Sequence, residues 1–274
     1  IVETEKNHDL KRERIAHSNP EDWIFALVSL QTAARYGGGA GGYASVVRMN
    51  GGSSSRPGLG VIPPGGVGKR WLRDLRIALT DRKQIIDFVG YKETDGRQLL
   101  WLKSWNDAVS LPFCELDPFF IEICRRVRLT VNDNRISAQR ATSKASLISK
   151  TESRDRKGNT GDLWTPVKSS SGESLGISGN GFHYRRMVEL LFGFEYRRPP
   201  AQVVRIDDVV SGLTVVARAV AGGQSKTDGY HERKIPISPK VGALLLQQKT
   251  DALAKIAEER VSDISMIRGV LWTA

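Results

Sequence analysis

The chain has 274 residues, 40% of them hydrophobic and 26% charged, enough for a buried core in one large domain or two small ones. Its 41 Lys+Arg outweigh 30 Asp+Glu by +11, an excess that favours nucleic acid or an anionic surface as partner. No apolar run approaches the ~20 residues that span a bilayer, no signal peptide is visible, and 2 cysteines exclude a disulfide framework or a cysteine zinc site; a cytoplasmic protein without cofactor, metal or membrane contact is expected.

Residues 1–18 are polar and highly charged and read as a loop or exposed arm. Asn19-Pro20-Glu21-Asp22 is a helix start, with a capping residue, proline at the first position and acids in the first turn. The helix runs through WIFALVSLQTAARY to a cap at Gly37. Residues 36–68 then hold 12 of the 27 glycines, a density whose entropic cost implies positive φ or close approach to another surface. Arg48, Arg56, Lys69 and Arg70 flank them, so that surface is expected to be a polyanion. Gly51 to Gly68 read as turns leading into a basic helix. Within them PPGGVGKR fails the phosphate-loop signature twice: Pro63 stands where glycine is required, and Arg70 where Ser/Thr would hold magnesium.

The spacing of residues 69–79 predicts an amphipathic helix, with Trp71, Leu72, Leu75 and Leu79 on the apolar face and Lys69, Arg70, Arg73 and Arg76 over much of the rest. Strands are expected at 99–105 and around 119–131, and buried thiols at Cys114 and Cys124 beside Phe113, Phe120, Ile121 and Ile123. Residues 125–157 carry ten basic and three acidic side chains and read as a long basic loop or ribbon. A helix follows at 182–192, then strands at QVVRI (202–206) and LTVVARAV (213–220), the turn-rich GGQSKTDGYHER (222–233) and a strand at KIPIS. Residues 241–271 have the spacing of one long helix. The fold class is α+β, a mixed globular domain over 1–240 with short strands, helices and long glycine-rich or basic loops. A C-terminal helical part occupies 241–274.

Catalytic signals are weak. His8, His17, His183 and His231 are scattered; His183 is expected to pack on its helix, and His231 to take a backbone or phosphate contact. Asp207, Asp208 and Asp228, with His231, are the residues a metal-dependent DNA nuclease would use, the alternative reading. The positive signal is the coincidence of glycine loop, basic helix and basic ribbon, which together suit phosphate and groove contact.

Eight blocks resemble, in order, the CasA-type large subunit of the type I-E CRISPR surveillance complex, Cascade: KNHDLKRERIA (6–16), LQTAARYGGG (30–39), VVRMNGGSSSRP (46–57), LDPFFIEICRRVRL (116–129), RATSKA (140–145), KGNTGDLWTPV (157–167), GFHYRRMVELLFG (181–193) and GGQSKTDGYHER (222–233). The resemblance implies a non-enzymatic antiviral-defence subunit that reads the protospacer-adjacent motif (PAM) of double-stranded target DNA from the minor groove. It further implies a start of R-loop formation and recruitment of a helicase-nuclease in trans, with CRISPR guide RNA and other Cascade subunits as partners. By position, the family's glycine loop falls on Tyr36, Gly37, Gly38 and Gly39. Its lysine-bearing loop falls within 144–157, so Lys144, Lys150 or Lys157 fills that role. Its wedge falls on Gln224, Ser225, Lys226, Thr227 and Asp228, and its mobile guide-contacting loop on Lys6, Asn7, His8 and Asp9 with the basic neighbours Lys11 and Arg12. The family's members are longer and end in a four-helix bundle, whose first helix would be 241–271. A truncation, the ordered part of a longer subunit or a reduced variant would each account for the difference. The cysteine pairs of some relatives are missing, so no zinc is expected.

Overall fold

The computed structural model describes residues 19–33, 57–123, 125–133, 135–223 and 226–273. Among them six α-helices and nine strands form a mixed α+β fold. The elements are α1 (Pro20–Ala33), β1 (Gly58–Ile62), α2 (Gly66–Val89), β2 (Arg97–Leu99), β3 (Leu116–Ile121), β4 (Val127–Asn132), β5 (Arg135–Arg140), α3 (Lys150–Arg156), β6 (Val167–Lys168), α4 (Tyr184–Phe192), β7 (Tyr196–Arg197), β8 (Leu213–Gly223), β9 (Lys226–Ile237), α5 (Pro239–Leu246) and α6 (Asp251–Thr273). No described helix is long and apolar enough to cross a membrane.

Two apolar cores organise the chain. The first is built on an antiparallel sheet in the order β1-β8-β9. Val215, Ala217, Ala219 and Ala221 of β8 are buried there with Leu59 and Val61 of β1 and Met187, Leu190 and Leu191 of α4, the period-2 burial of a strand with one face on a core. Pro236 lies on β9, the outer strand, where a missing N–H donor is tolerated. The second core gathers Ile77, Ile85, Ile86 and Val89 of α2 with Tyr91, Phe113, Leu116, Phe120, Leu147, Ile148 and Leu163.

Helix α2 joins the two cores through a buried ion pair. Arg73 Nε lies 2.7 Å from Asp208 Oδ1, and its Nη2 donates to Asp208 Oδ2 at 2.9 Å. The same guanidinium donates to the carbonyls of Ala201 at 2.9 Å and Val203 at 2.8 Å. Ala201 O also accepts from Val61 N at 3.0 Å. Residues 202–206 are therefore not a strand: their neighbourhood's carbonyls are satisfied by an arginine fork, and residues 206–211 close as a 3-10 helix.

The same contact reverses the expected face of α2. Trp71 (62% exposed) and Leu79 (66%) point outward, as do Leu72 and Leu75, whereas Arg73 and Ile77 are buried. The helix is also longer than expected, from Gly66 to Val89, with Gly65 before it and Gly90 after it in the left-handed region at φ 105° and 85°. Within the glycine run, Gly58 and Gly60 belong to strand β1 rather than to a turn. Residues 100–103 turn away after β2, with Leu102 N donating to Leu99 O, so the expected strand at 99–105 is confined to its start. Cys114 is exposed, not buried; Cys124 lies outside the described residues.

The C-terminal segment is two helices rather than one. Ser238 caps α5, accepting from Val241 N, and the chain breaks over 247–250 with Gln248 at φ 57° before α6 begins. Val241 and Leu245 of α5 and Leu253, Ala254 and Ala257 of α6 pack on the first core, so residues on both sides of position 240 share it.

Candidate nucleic-acid interface

The longest element pair is the β8–β9 hairpin. Its ladder runs from Leu213↔Ile237 to Gly223↔Lys226, leaving only residues 224 and 225 to join the strands. Strand β1 pairs with β8 only as far as Arg218, and β8 continues for five more residues, of which Ala219 and Ala221 stay buried in the first core. The register shifts between Ala221 and Gly222. Ala221 faces Gly229 and Gly222 faces Thr227, which leaves residue 228 as the extra one on β9. Gly229 sits at φ 85°, the backbone a bulge asks of glycine, and a bulge bends and twists the strand where it occurs.

The middle of the hairpin is fixed by charge and packing. Arg218 Nε lies 2.6 Å from Glu232 Oε2, its cross-strand partner, while Lys234 Nζ lies 3.0 Å from Oε1. Tyr230 donates its hydroxyl to Glu232 Oε2 at 2.9 Å. Hydrogen bonds from Lys234, Arg218 and Tyr230 hold the Glu232 carboxyl at about 2. On the other side, Arg233 Nε donates to Phe182 O at 3.0 Å and its guanidinium lies over the Tyr184 ring, tying β9 to the start of α4. His183 caps that helix, its Nδ1 accepting from Arg186 N at 3.3 Å, which gives it a local backbone role. Among the described residues, His231 Nε2 is buried without a hydrogen-bond partner.

Of the wedge residues, the backbone of Lys226 and Thr227 is the first of β9, paired with Gly223 and Gly222. Gln224 and Ser225 lie outside the described residues. So do Tyr36, Gly37, Gly38 and Gly39 and the loop residues Lys6, Asn7, His8, Lys11 and Arg12.

The three candidate lysines occupy different settings on the second core and its edge. Lys144 is exposed in the loop after β5, next to Ala145, whose N–H donates to Asp107 O at 2.8 Å. Lys150 is exposed at the start of α3, just after Ser149, which caps the helix by accepting from Glu152 N. Neither forms an ion pair with another described residue. Lys157 is different. It ends α3 at φ 47°, its Nζ lies 2.8 Å from Glu173 Oε1, and its carbonyl accepts from Ser174 N at 3.1 Å, so it fastens the end of α3 to the segment that follows β6. Of these three candidates, Lys144 and Lys150 are the ones open to a ligand.

The basic tract is a ribbon over its first half and a loop and short helix over its second. β4 and β5 pair antiparallel from Val127↔Arg140 to Asn132↔Arg135, and the root is held by Arg126, whose Nη1 donates to Thr142 O at 2.9 Å and lies 3.2 Å from Asp107 Oδ2. On β3, Asp117 is buried. Burial alone would raise its carboxyl, but bonds from Arg82, Phe119 N and Gln98 hold it below the usual carboxylate range.

Of the candidate aspartates only Asp208 is committed, and the side chain of Asp228 lies outside the described part of the structure. Asp208 is bound by Arg73 and accepts Arg205 N at 2.8 Å, and Asp207 is exposed. Among the described residues no cluster of three or more His, Cys, Asp or Glu is placed to hold an ion. The charge of the tract was legible in sequence; the arginine held inside α2 and the register that sorts the ribbon's side chains were not. No protein-family model matches the chain, and no curated protein matches it.

Proposed function

We propose that this chain is the non-catalytic large subunit of an RNA-guided CRISPR surveillance complex. In this reading it recognises the PAM in double-stranded DNA, starts unwinding into an R-loop, and helps recruit a separate helicase-nuclease. The observation that carries the reading is the β8–β9 hairpin: a long ladder braced around Glu232 and bent by a glycine bulge, whose turn is where the resemblance puts the wedge. A turn entering between base steps costs a few kcal/mol of unstacking, and a braced hairpin can bear that load without buckling. Exposed Lys144 and Lys150 and the net charge of +11 supply phosphate contacts of the kind that make binding salt-sensitive. Minor-groove recognition at Gly38 suits a degenerate code, giving tolerance for several PAMs, with guide pairing carrying most of the sequence specificity, as in a different RNA-guided effector.

Reconstitution with guide RNA and the remaining subunits tests it. A complex containing the chain should bind a PAM-bearing duplex and discriminate within a PAM library, and the Gly38→Asp complex should assemble but lose that binding. Unchanged affinity of the Gly38→Asp complex would contradict the reading. Magnesium-dependent cleavage of duplex by the isolated chain, abolished by Asp207→Ala, would favour the nuclease instead.

A further inference from the structure

We propose that the β4–β5 ribbon is a second duplex-DNA contact, one that engages the major groove through its polar face. The proposal rests on the reading that the chain binds duplex DNA, and adds a site on the opposite core from the hairpin wedge. The register sorts the ribbon's side chains into two unlike faces. Arg128 lies opposite Gln139, Thr130 opposite Ser137 and Asn132 opposite Arg135, and alternation puts all six on one side. That side carries no apolar side chain. Val127, Leu129, Val131, Ile136 and Ala138 share the other side with Arg140, and Val127, Leu129 and Ile136 of these are half-buried, against Thr130 alone on the polar side, so the polar side is the more exposed of the two.

Charge points to the occupant. Residues 125–140 contain Arg125, Arg126, Arg128, Arg135 and Arg140 against the single acid Asp133. Arg128, Arg135 and Arg140 are exposed and pair with no carboxylate among the described residues. A concentration of unneutralised guanidinium groups this dense fits a polyphosphate backbone rather than another protein's mixed surface. Geometry points to the groove. A two-stranded ribbon is one of the two elements that the major groove, about 12 Å wide, admits. Arg128 and Arg135 stand at the two ends of the polar face, about 14 Å apart along the ribbon at the antiparallel rise, so a ribbon crossing the groove puts a guanidinium at each phosphate lip. Between them stand the hydroxyls of Thr130 and Ser137, 2.9 Å apart, and beside the two arginines stand the amides of Gln139 and Asn132, groups with both donors and acceptors to offer the base edges. The fixed root at Arg126 and Ala141, whose N–H donates to Arg126 O at 3.0 Å, sets the ribbon's direction.

The test is duplex affinity of the whole chain, measured by fluorescence anisotropy at several salt concentrations, for wild type, Arg128→Ala/Arg135→Ala and Arg128→Lys/Arg135→Lys. Loss of two phosphate contacts should lower the slope of log K against log salt by about 2, so that the affinity lost between about 50 and 200 mM salt is about tenfold smaller for the alanine pair. The lysine pair should keep the wild-type slope. A duplex whose major groove is blocked by glucosylated hydroxymethylcytosine should bind wild type more weakly than plain duplex, and bind the alanine pair no differently from plain duplex. An unchanged slope in the alanine pair, with wild type binding duplex and the Gln224→Ala/Lys226→Ala variant impaired, would overturn the ribbon contact and leave the wider reading standing. A loss confined to single-stranded RNA would overturn it in favour of a guide contact. Wild type with no duplex affinity would remove the wider reading and the ribbon contact together.

Discussion

The chain's two long hairpins share a backbone ladder and differ in almost everything else. In β8–β9 one face of the inner strand is buried from Leu213 to Ala221, and the middle carries a four-residue cluster around Glu232. In β4–β5 no described side chain is fully buried, and the strands are six residues each. An isolated two-stranded ribbon is marginally stable in water, so β4–β5 depends on its root while β8–β9 depends on the core. A stiff hairpin suits prying bases apart; a lightly held, polar ribbon suits following a groove.

The sharpest way to break that contrast is to make one substitution in both hairpins. Val215 is 1% exposed and Val131 67%. Val215→Asp should destabilise the protein by more than about 4 kcal/mol, or prevent folding, because an unpaired carboxylate enters the core. Val131→Asp should stay within about 0.5 kcal/mol. Urea denaturation followed by circular dichroism reads both. Next in size is the link between the cores. Arg73→Ala strands the buried Asp208 and should cost about 3–5 kcal/mol, with Arg73→Met/Asp208→Leu recovering much of it. Equal losses in the single and double variants would mean that the contacts to Ala201 and Val203, rather than the ion pair, hold α2 in place.

A smaller effect is expected at the bulge. Gly229 has φ 85° and a Cβ there would meet no atom of a described residue within 4 Å, so Gly229→Ala should cost about 1 kcal/mol from backbone strain. The smallest concerns pH. Because the folded Glu232 carboxyl is held at about 2, below its ordinary 4.5, the cluster's contribution is complete above the unfolded value and is lost as pH falls through the folded one. Glu232→Gln should therefore flatten the fall in melting temperature between those two values and leave the ribbon's salt-dependent DNA binding untouched.

Much of the architecture was legible because local chemistry and burial agreed. Asn19-Pro20 starts α1, the 182–192 pattern gives α4, and the alternation of 213–220 gives β8. The failures have particular causes. The apolar positions of α2 marked a face, but a long-range partner, Asp208, drew Arg73 inward and left Trp71 and Leu72 outside. The alternation in QVVRI imitated a strand, yet its nearby carbonyls are satisfied by that same arginine. Residues 247–250 contain neither proline nor glycine, and the break between α5 and α6 is carried by Gln248 in a left-handed conformation that no residue pattern announces. Of the candidate site, basicity was visible from composition. Which lysines are free was not, since Lys157 is taken by Glu173 only once the segment after β6 returns beside it.

The most direct test of the central claim is base unstacking at the hairpin's end. A duplex carrying 2-aminopurine at the step beside the PAM should brighten when it meets the assembled complex, and should stay dark with the Gln224→Ala/Lys226→Ala complex although assembly is intact. An equal rise in fluorescence with both complexes would contradict the claim that β8–β9 opens the duplex.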